Sequence, residues 1–191
     1  MIFAACTLAF FVALVRGVAD SGAAVLGKVP NQRFVDQRGR PRSTHDLLGR
    51  IWIANFIYTR CEAVCSANTA RLARFSRRLG TLGGQLHYVS ISVDPSYDRP
   101  DVLRSYGERF DAAAEDWSFF TAPDSAGYGN DRQFSSWGLP GDNENAASVA
   151  HSERWLLIDA QGRVRARVAS DAAGQDSLAH AALDLSATLK R

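Results

Sequence analysis

Ile51-Trp52-Ile53-Ala54-Asn55-Phe56-Ile57-Tyr58, followed at once by Thr59-Arg60-Cys61-Glu62-Ala63-Val64-Cys65-Ser66, is the stretch on which the fold turns. Its first half is a nearly continuous apolar run rich in β-branched and aromatic side chains. That pattern suits a central strand buried on both faces. Its second half opens a helical pattern from about Glu62 to Leu79, closed by Gly80 and the Gly83-Gly84 pair beyond it. Leu86 to Val93 reads as the next strand, stopped by Asp94-Pro95, and Asp98 offers an N-cap ahead of Pro100 for a helix through Phe110.

Further out, Arg33 to Asp36 followed by Gly39 reads as a hairpin entry, and Trp117 to Phe120 as a short strand. Asp124 to Trp137 reads as an irregular helix weakened by Gly127 and Gly129. Trp155 to Asp159, then Gln161-Gly162, then Val164 to Val168 form an antiparallel hairpin, and a last helix runs from about Gln175 to Leu189. Strand, helix, strand, helix, then hairpin and helix predict an α/β fold with a mixed sheet covered by helices on both faces. A thioredoxin-like layout is the compact fold that ends this way.

The chain has 191 residues, room for one domain and a short appendage. Lys and Arg number 22 against 20 Asp and Glu, interspersed, so no face is built to neutralise a phosphate backbone and nucleic acid is not an expected partner. With 46% hydrophobic residues the chain is no disordered polymer, and three cysteines are too few for a disulfide framework. The uncharged run Ile2 to Val15, followed by Arg16, is shorter than the ~20 residues of a spanning helix but fits the core of an export signal. Val18-Ala19-Asp20 offers a cleavage site, so removal and retention as a membrane anchor both stay open. Residues 1–19 are thus expected to be the signal or anchor, 20–29 a linker and 30–191 the folded domain. The domain is expected in the cell envelope, on its extracytoplasmic, periplasmic face. Cys6 lies inside the apolar run and is expected to be a spectator.

Cys61 and Cys65 fall where the buried strand gives way to the helix. Positions i and i+4 share a helix face, so two thiolates there can reach one soft metal ion such as Cu(I) or Zn. The helix N-terminus and Arg60 are expected to lower the thiol pKa, while Glu62 opposes that. A second reading needs no chemistry, because Cys65 continues into Leu72, Phe75 and Leu79 as a core-facing stripe. A third is redox: the same pair can form a strained, easily reduced disulfide. Of the four histidines, His45, His87 and His180 read as surface or packing residues. His151 ends the Gly- and Asn-rich loop Gly141 to Ala150 just before a strand, where it can swing toward a neighbouring helix end. Two thiolates and that imidazole would make a three-coordinate copper site.

Taken together, Asp36-Gln37-Arg38-Gly39, Phe56 to Cys65, Ser92-Val93-Asp94-Pro95 with Asp98-Arg99-Pro100, and His151-Ser152 leading to Leu157 to Gly162 resemble the Sco/SenC family of copper chaperones. The match spans about Val29 to Val168. The resemblance implies a thioredoxin-like domain on a membrane tether, with copper, as Cu(I) or Cu(II), held by Cys61, Cys65 and His151. It implies assembly of the binuclear copper site of cytochrome c oxidase, by copper delivery to the receiving oxidase subunit, disulfide reduction, or both. Other copper chaperones and thiol–disulfide proteins are further implied partners. The expected role is that of a metallochaperone rather than an enzyme, with a thiol–disulfide oxidoreductase or redox sensor using Cys61 and Cys65 as the alternative. One departure matters: the family pattern has a proline after each cysteine and an acid between them, whereas Glu62 and Ser66 stand at the proline positions here and Ala63 at the acidic one.

Overall fold

Every residue of the strand Ile51–Ile57 is buried, as a strand covered on both faces must be. Around it the computed structural model describes residues 24–61, 63–82, 84–112, 115–123, 137 and 153–189. In chain order these form β1 (Gly27–Lys28), β2 (Arg33–Asp36), β3 (Pro41–Ser43), a 3-10 turn (Thr44–Leu47), β4 (Ile51–Ile57), α1 (Val64–Leu79), β5 (Leu86–Ser92), α2 (Pro100–Glu108), β6 (Trp117–Thr121), β7 (Arg154–Ile158), β8 (Arg163–Ala169) and α3 (Ala172–Leu189). The strands make one sheet in the order β1-β8-β7-β4-β5-β6-β2-β3. The centre, β4-β5-β6, is parallel; β7 runs antiparallel to β4, and β2 antiparallel to β6. The expected α/β class with a mixed sheet is what forms.

Alternation along β4 divides the core. Ile51, Ile53 and Ile57 point to the face packed by Leu72 and Phe75 of α1, Leu103 and Tyr106 of α2, and Leu178, Ala182 and Leu185 of α3. Trp52, Ala54 and Phe56 point to the other face, covered by Leu47 of the 3-10 turn, Phe34 of β2 and Trp137. Among the described residues the three α-helices share the first face, and the second is covered by the 3-10 turn and Trp137. Full burial of one such side chain contributes ~1.5–3 kcal/mol, against ~0–1 kcal/mol for an exposed ion pair such as Arg78–Asp176. Layer packing, not surface charge, holds the sheet to its helices.

Two boundaries differ from the sequence reading for local reasons. α1 begins at Val64 rather than Glu62, because Cys61 is drawn into a turn against Tyr58. Asp98 is not the N-cap of α2; Arg99 holds that position with no side-chain bond, and Pro100 opens the helix. The Asp98 carboxylate turns inward instead. The expected helix Asp124–Trp137, apart from Trp137 itself, lies outside the described residues, as do the apolar segment with Cys6 and the loop carrying His151.

Candidate metal centre

β4 delivers the chain to Tyr58 at the carboxyl edge of the parallel strands, the edge where α/β sheets place their sites. The Cys61 N–H donates to the Tyr58 carbonyl at 3.1 Å, closing a tight turn. Ala63, at the N-cap of α1, has no capping side chain, and Cys61 supplies one: its Sγ accepts the Cys65 N–H at 3.4 Å. Ser66 Oγ donates to the Cys61 carbonyl at 3.3 Å and fixes the turn from the other side. The cysteines thus do not sit on adjacent turns of one helix. Cys61 precedes the helix and Cys65 lies in its first turn, yet the two side chains still pack together in one buried cluster. Both are free thiols, buried against Tyr58, Val64 and Val93, with Cys65 fully enclosed and Cys61 8% exposed.

Their electrostatics diverge. Burial works against the Cys61 thiolate, but the Cys65 and Val64 N–H groups, the Cys65 thiol and the Tyr58 hydroxyl together hold its pKa below the ordinary value. Burial pushes the Cys65 thiol up to about 12; a bond from the Tyr58 N–H opposes this, while the neighbouring Cys61 reinforces it. The helix terminus therefore favours ionisation of only one sulfur of the pair. Arg60, expected to help, turns instead to Asp94, with Nη2 at 2.5 Å and Nε at 3.1 Å from Oδ2, and stacks over Tyr97.

Asp98 is the residue that sequence reading misplaced. Fully buried, it accepts the Thr59 N–H at 3.1 Å, the Thr59 hydroxyl at 2.5 Å and the Ser92 hydroxyl at 2.6 Å. Burial raises its pKa despite those three donors. One carboxylate thereby ties the cysteine turn to the end of β5 and the approach to α2. The motif Asp94-Pro95 with Asp98 signalled a site element in the sequence, but not this role. Tyr58, likewise quoted only as part of a motif, proves to be a direct partner of Cys61.

The histidines do not gather at this site. His45 is exposed on the 3-10 turn, His180 is exposed on α3, and His87 is buried in β5, away from the cysteines. His151 lies outside the described residues. Among the described residues no group of three or more His, Cys, Asp or Glu converges on a metal position. The donors that are present, two touching sulfurs in an apolar recess, suit a soft ion rather than Mg or Ca.

With this geometry in view, likeness to known proteins becomes specific. A family model described as SCO1/SenC matches residues 27–185. A SCO1 protein homolog of Bacillus subtilis is 27% identical over 131 residues, covering 69% of this chain and 68% of the relative. Among solved structures, BsSco, described as a member of the Sco family of cytochrome c oxidase assembly proteins in which a disulfide switch was identified, superposes with a TM-score of 0.71 at 22% identity, covering 86% of this chain and 96% of that one. ScoI of Bradyrhizobium japonicum with copper bound superposes with a TM-score of 0.63 at 20% identity, covering 85% and 99%. At these identities the two structures show a shared thioredoxin-like fold.

Proposed function

The chain belongs to the SCO1/SenC family, and from that premise we propose that it is an extracytoplasmic copper-binding metallochaperone whose ligands are Cys61, Cys65 and His151. The observation that carries the reading is the pair of free, touching thiols at the carboxyl edge of the sheet, one of them held toward the thiolate. Copper is the cargo. Cys61 offers a sulfur ready to ionise, and Cys65 completes a two-sulfur grip once copper displaces its proton. The solved ScoI with copper bound supports the choice of metal.

Reach supports the third ligand. Trp155 pairs with Asn55 near the end of β4 and donates its indole N–H to Asn68 Oδ1 at 2.7 Å, on α1 beyond Cys65. His151 stands four residues before Trp155, a span of at most ~14 Å for extended chain. The receiving partner is the copper-binding subunit of cytochrome c oxidase, with other copper chaperones or thiol–disulfide proteins upstream. Residues 1–19 act as export signal or membrane anchor and the stretch from 20 as linker, with the expected domain start at 30 moved up to β1, Gly27–Lys28, which pairs with β8; the domain lies on the periplasmic face of the envelope. The deciding experiment is titration of Cu(I) and Cu(II) into reduced protein. One equivalent is expected, weakened by His151→Ala and abolished in Cys61→Ser/Cys65→Ser. No copper uptake, or an affinity indifferent to His151, refutes the ligand set.

A second reading rests on the divergent thiols. A low-pKa, slightly exposed Cys61 beside a buried, high-pKa Cys65 is the arrangement of an attacking and a resolving thiol in disulfide exchange. The disulfide switch in BsSco is in keeping with it. Measuring the reduction potential of the pair separates the readings: a disulfide too stable for any thiol reductant excludes exchange.

A further inference from the structure

The opposite end of the sheet carries a second concentration of donors. Trp52 and His87 pair at the amino ends of β4 and β5, roughly 17 Å along β4 from Ile57 at a rise of about 3.3 Å per residue. There a cleft of about 260 Å³ opens between the β2–β3 hairpin and the starts of β4, β5 and β6, and Arg38, Arg40, Arg42 and Arg50 line it. The cleft shares no residue with the cysteine turn, so its chemistry is independent of the metal reading.

Two of the guanidiniums are held in place. Asp36, wholly buried, accepts Arg40 Nε and Nη2 at 2.8 Å each and Arg42 Nε at 3.2 Å, together with the backbone N–H groups of residues 38 and 40. The remaining N–H groups of Arg40 and Arg42 have no partner among the described residues. Arg38 and Arg50 are exposed and carry no ion pair among the described residues either. Gln37 stiffens the wall, its amide bonded at both ends to the β6 backbone. Against these four cations the rim sets Asp46, which already accepts the Ser43 N–H and hydroxyl, and Glu115.

His87 supplies an independent observation. It lines the cleft at 5% exposure, its Nε2 is 3.0 Å from Ser118 Oγ, and its buried Nδ1 has no hydrogen-bond partner among the described residues. Burial first, then the charges of Arg50 and Arg42, keep the ring neutral, with a pKa of about 4. Whichever ring nitrogen carries the proton, Nδ1 is left without a hydrogen-bond partner among the described residues. Fixed guanidinium forks match the oxygens of phosphate or carboxylate, and a phosphate ester brings ~1.5–2 negative charges where a carboxylate brings one.

We propose that this cleft is an oxyanion site for a phosphate group, with Arg38, Arg40, Arg42 and Arg50 as its donors and His87 in its lining. The phosphate comes either from a soluble phosphate compound or from a lipid headgroup at the membrane surface. The probe is inorganic pyrophosphate, titrated into the full chain in neutral detergent at constant ionic strength and followed through the His87 ring resonances. Saturable shifts are expected, with half-saturation raised at least tenfold by Arg38→Gln/Arg50→Gln and unchanged by Arg77→Gln on α1. The Arg38 and Arg50 side chains are exposed and make no bond to Asp36, and the Arg38 backbone N–H that does is kept in Arg38→Gln, so an unaltered thermal melt accompanies the loss. Vesicles of phosphatidylcholine with and without phosphatidic acid distinguish the sources. Sedimentation with the acidic vesicles that pyrophosphate displaces makes the headgroup the ligand; pyrophosphate binding without vesicle binding makes it a soluble compound. Shifts that chloride reproduces, that fail to saturate, or that persist in the double variant overturn the site.

Discussion

The sharpest consequence of the cysteine geometry is a rate difference between two sulfurs four residues apart. Iodoacetamide consumes thiolates, so at pH 7 each thiol reacts in proportion to its ionised fraction. The Cys65 thiol, pushed up to about 12, ionises in about one molecule in 10⁵. Cys61 lies below its ordinary value of 9.0, so its thiolate fraction exceeds about one in 10². That is a ratio of at least ~10³ in favour of Cys61. A more basic thiolate is intrinsically the better nucleophile, and a Brønsted slope of ~0.4–0.5 over about three units returns a factor of ~20 to Cys65. The ionisation difference wins, leaving Cys61 faster by at least ~50-fold, and the complete burial of Cys65 acts in the same direction. The assay is timed alkylation of reduced, metal-free wild-type protein at pH 7, quenched and resolved by peptide mass spectrometry. Comparable rates, or Cys65 labelling first, refute the assigned asymmetry and with it the attacking and resolving roles.

Other perturbations test the surrounding structure. Tyr58→Phe removes a donor to Cys61 Sγ and is expected to raise the pH at which its thiolate absorbance appears; an unchanged titration removes Tyr58 from the site. Asp98→Asn weakens an acceptor that holds Thr59 and Ser92 together, costing ~1–3 kcal/mol in urea unfolding and lowering copper affinity; a stability within error of wild type contradicts the tie. His87 has a folded pKa of about 4 against an ordinary 6.5, so the unfolded chain takes up more protons between those values. Stability from the neutral ring is complete above pH ~6.5 and lost as pH falls toward 4, by ~3 kcal/mol in all at 1.36 kcal/mol per unit. Urea unfolding at several pH values should show this slope in wild type and a shallower one in His87→Gln; identical slopes refute it.

Asp36 and Asp98 show how the same residue type performs two tasks in one fold. Asp36 is surrounded by two guanidiniums and two backbone N–H groups, which outweigh its burial and keep its pKa low. Asp98 has hydroxyl and amide donors but, among the described residues, no cation in a salt bridge with it, and burial prevails. The first fixes charged side chains at a cleft; the second fixes backbone beneath the cysteines.

Much of the fold was legible from local pattern. The unbroken apolar run Ile51 to Ile57, the glycine stop after Leu79 and the Gln161-Gly162 turn are short-range signals, and the described elements they bound formed within two or three residues of where periodicity put them. The Cys61/Cys65 pair and its position at a strand-to-helix junction are equally local. What periodicity cannot carry is which side chains meet across the fold. Asp98 reads as a helix cap because its neighbours in sequence make it one, yet its partner Thr59 is 39 positions away. The unequal acidity of the two cysteines depends on burial and on donors fixed by the turn, and the arginine cleft depends on a hairpin folding beside β6. The order of elements, the α/β class and the reactive atoms are therefore written in the chain itself. Which of those atoms ionise, and which charges share a cleft, is settled only on folding, because solvation and Coulomb interactions depend on distance in space and not along the chain.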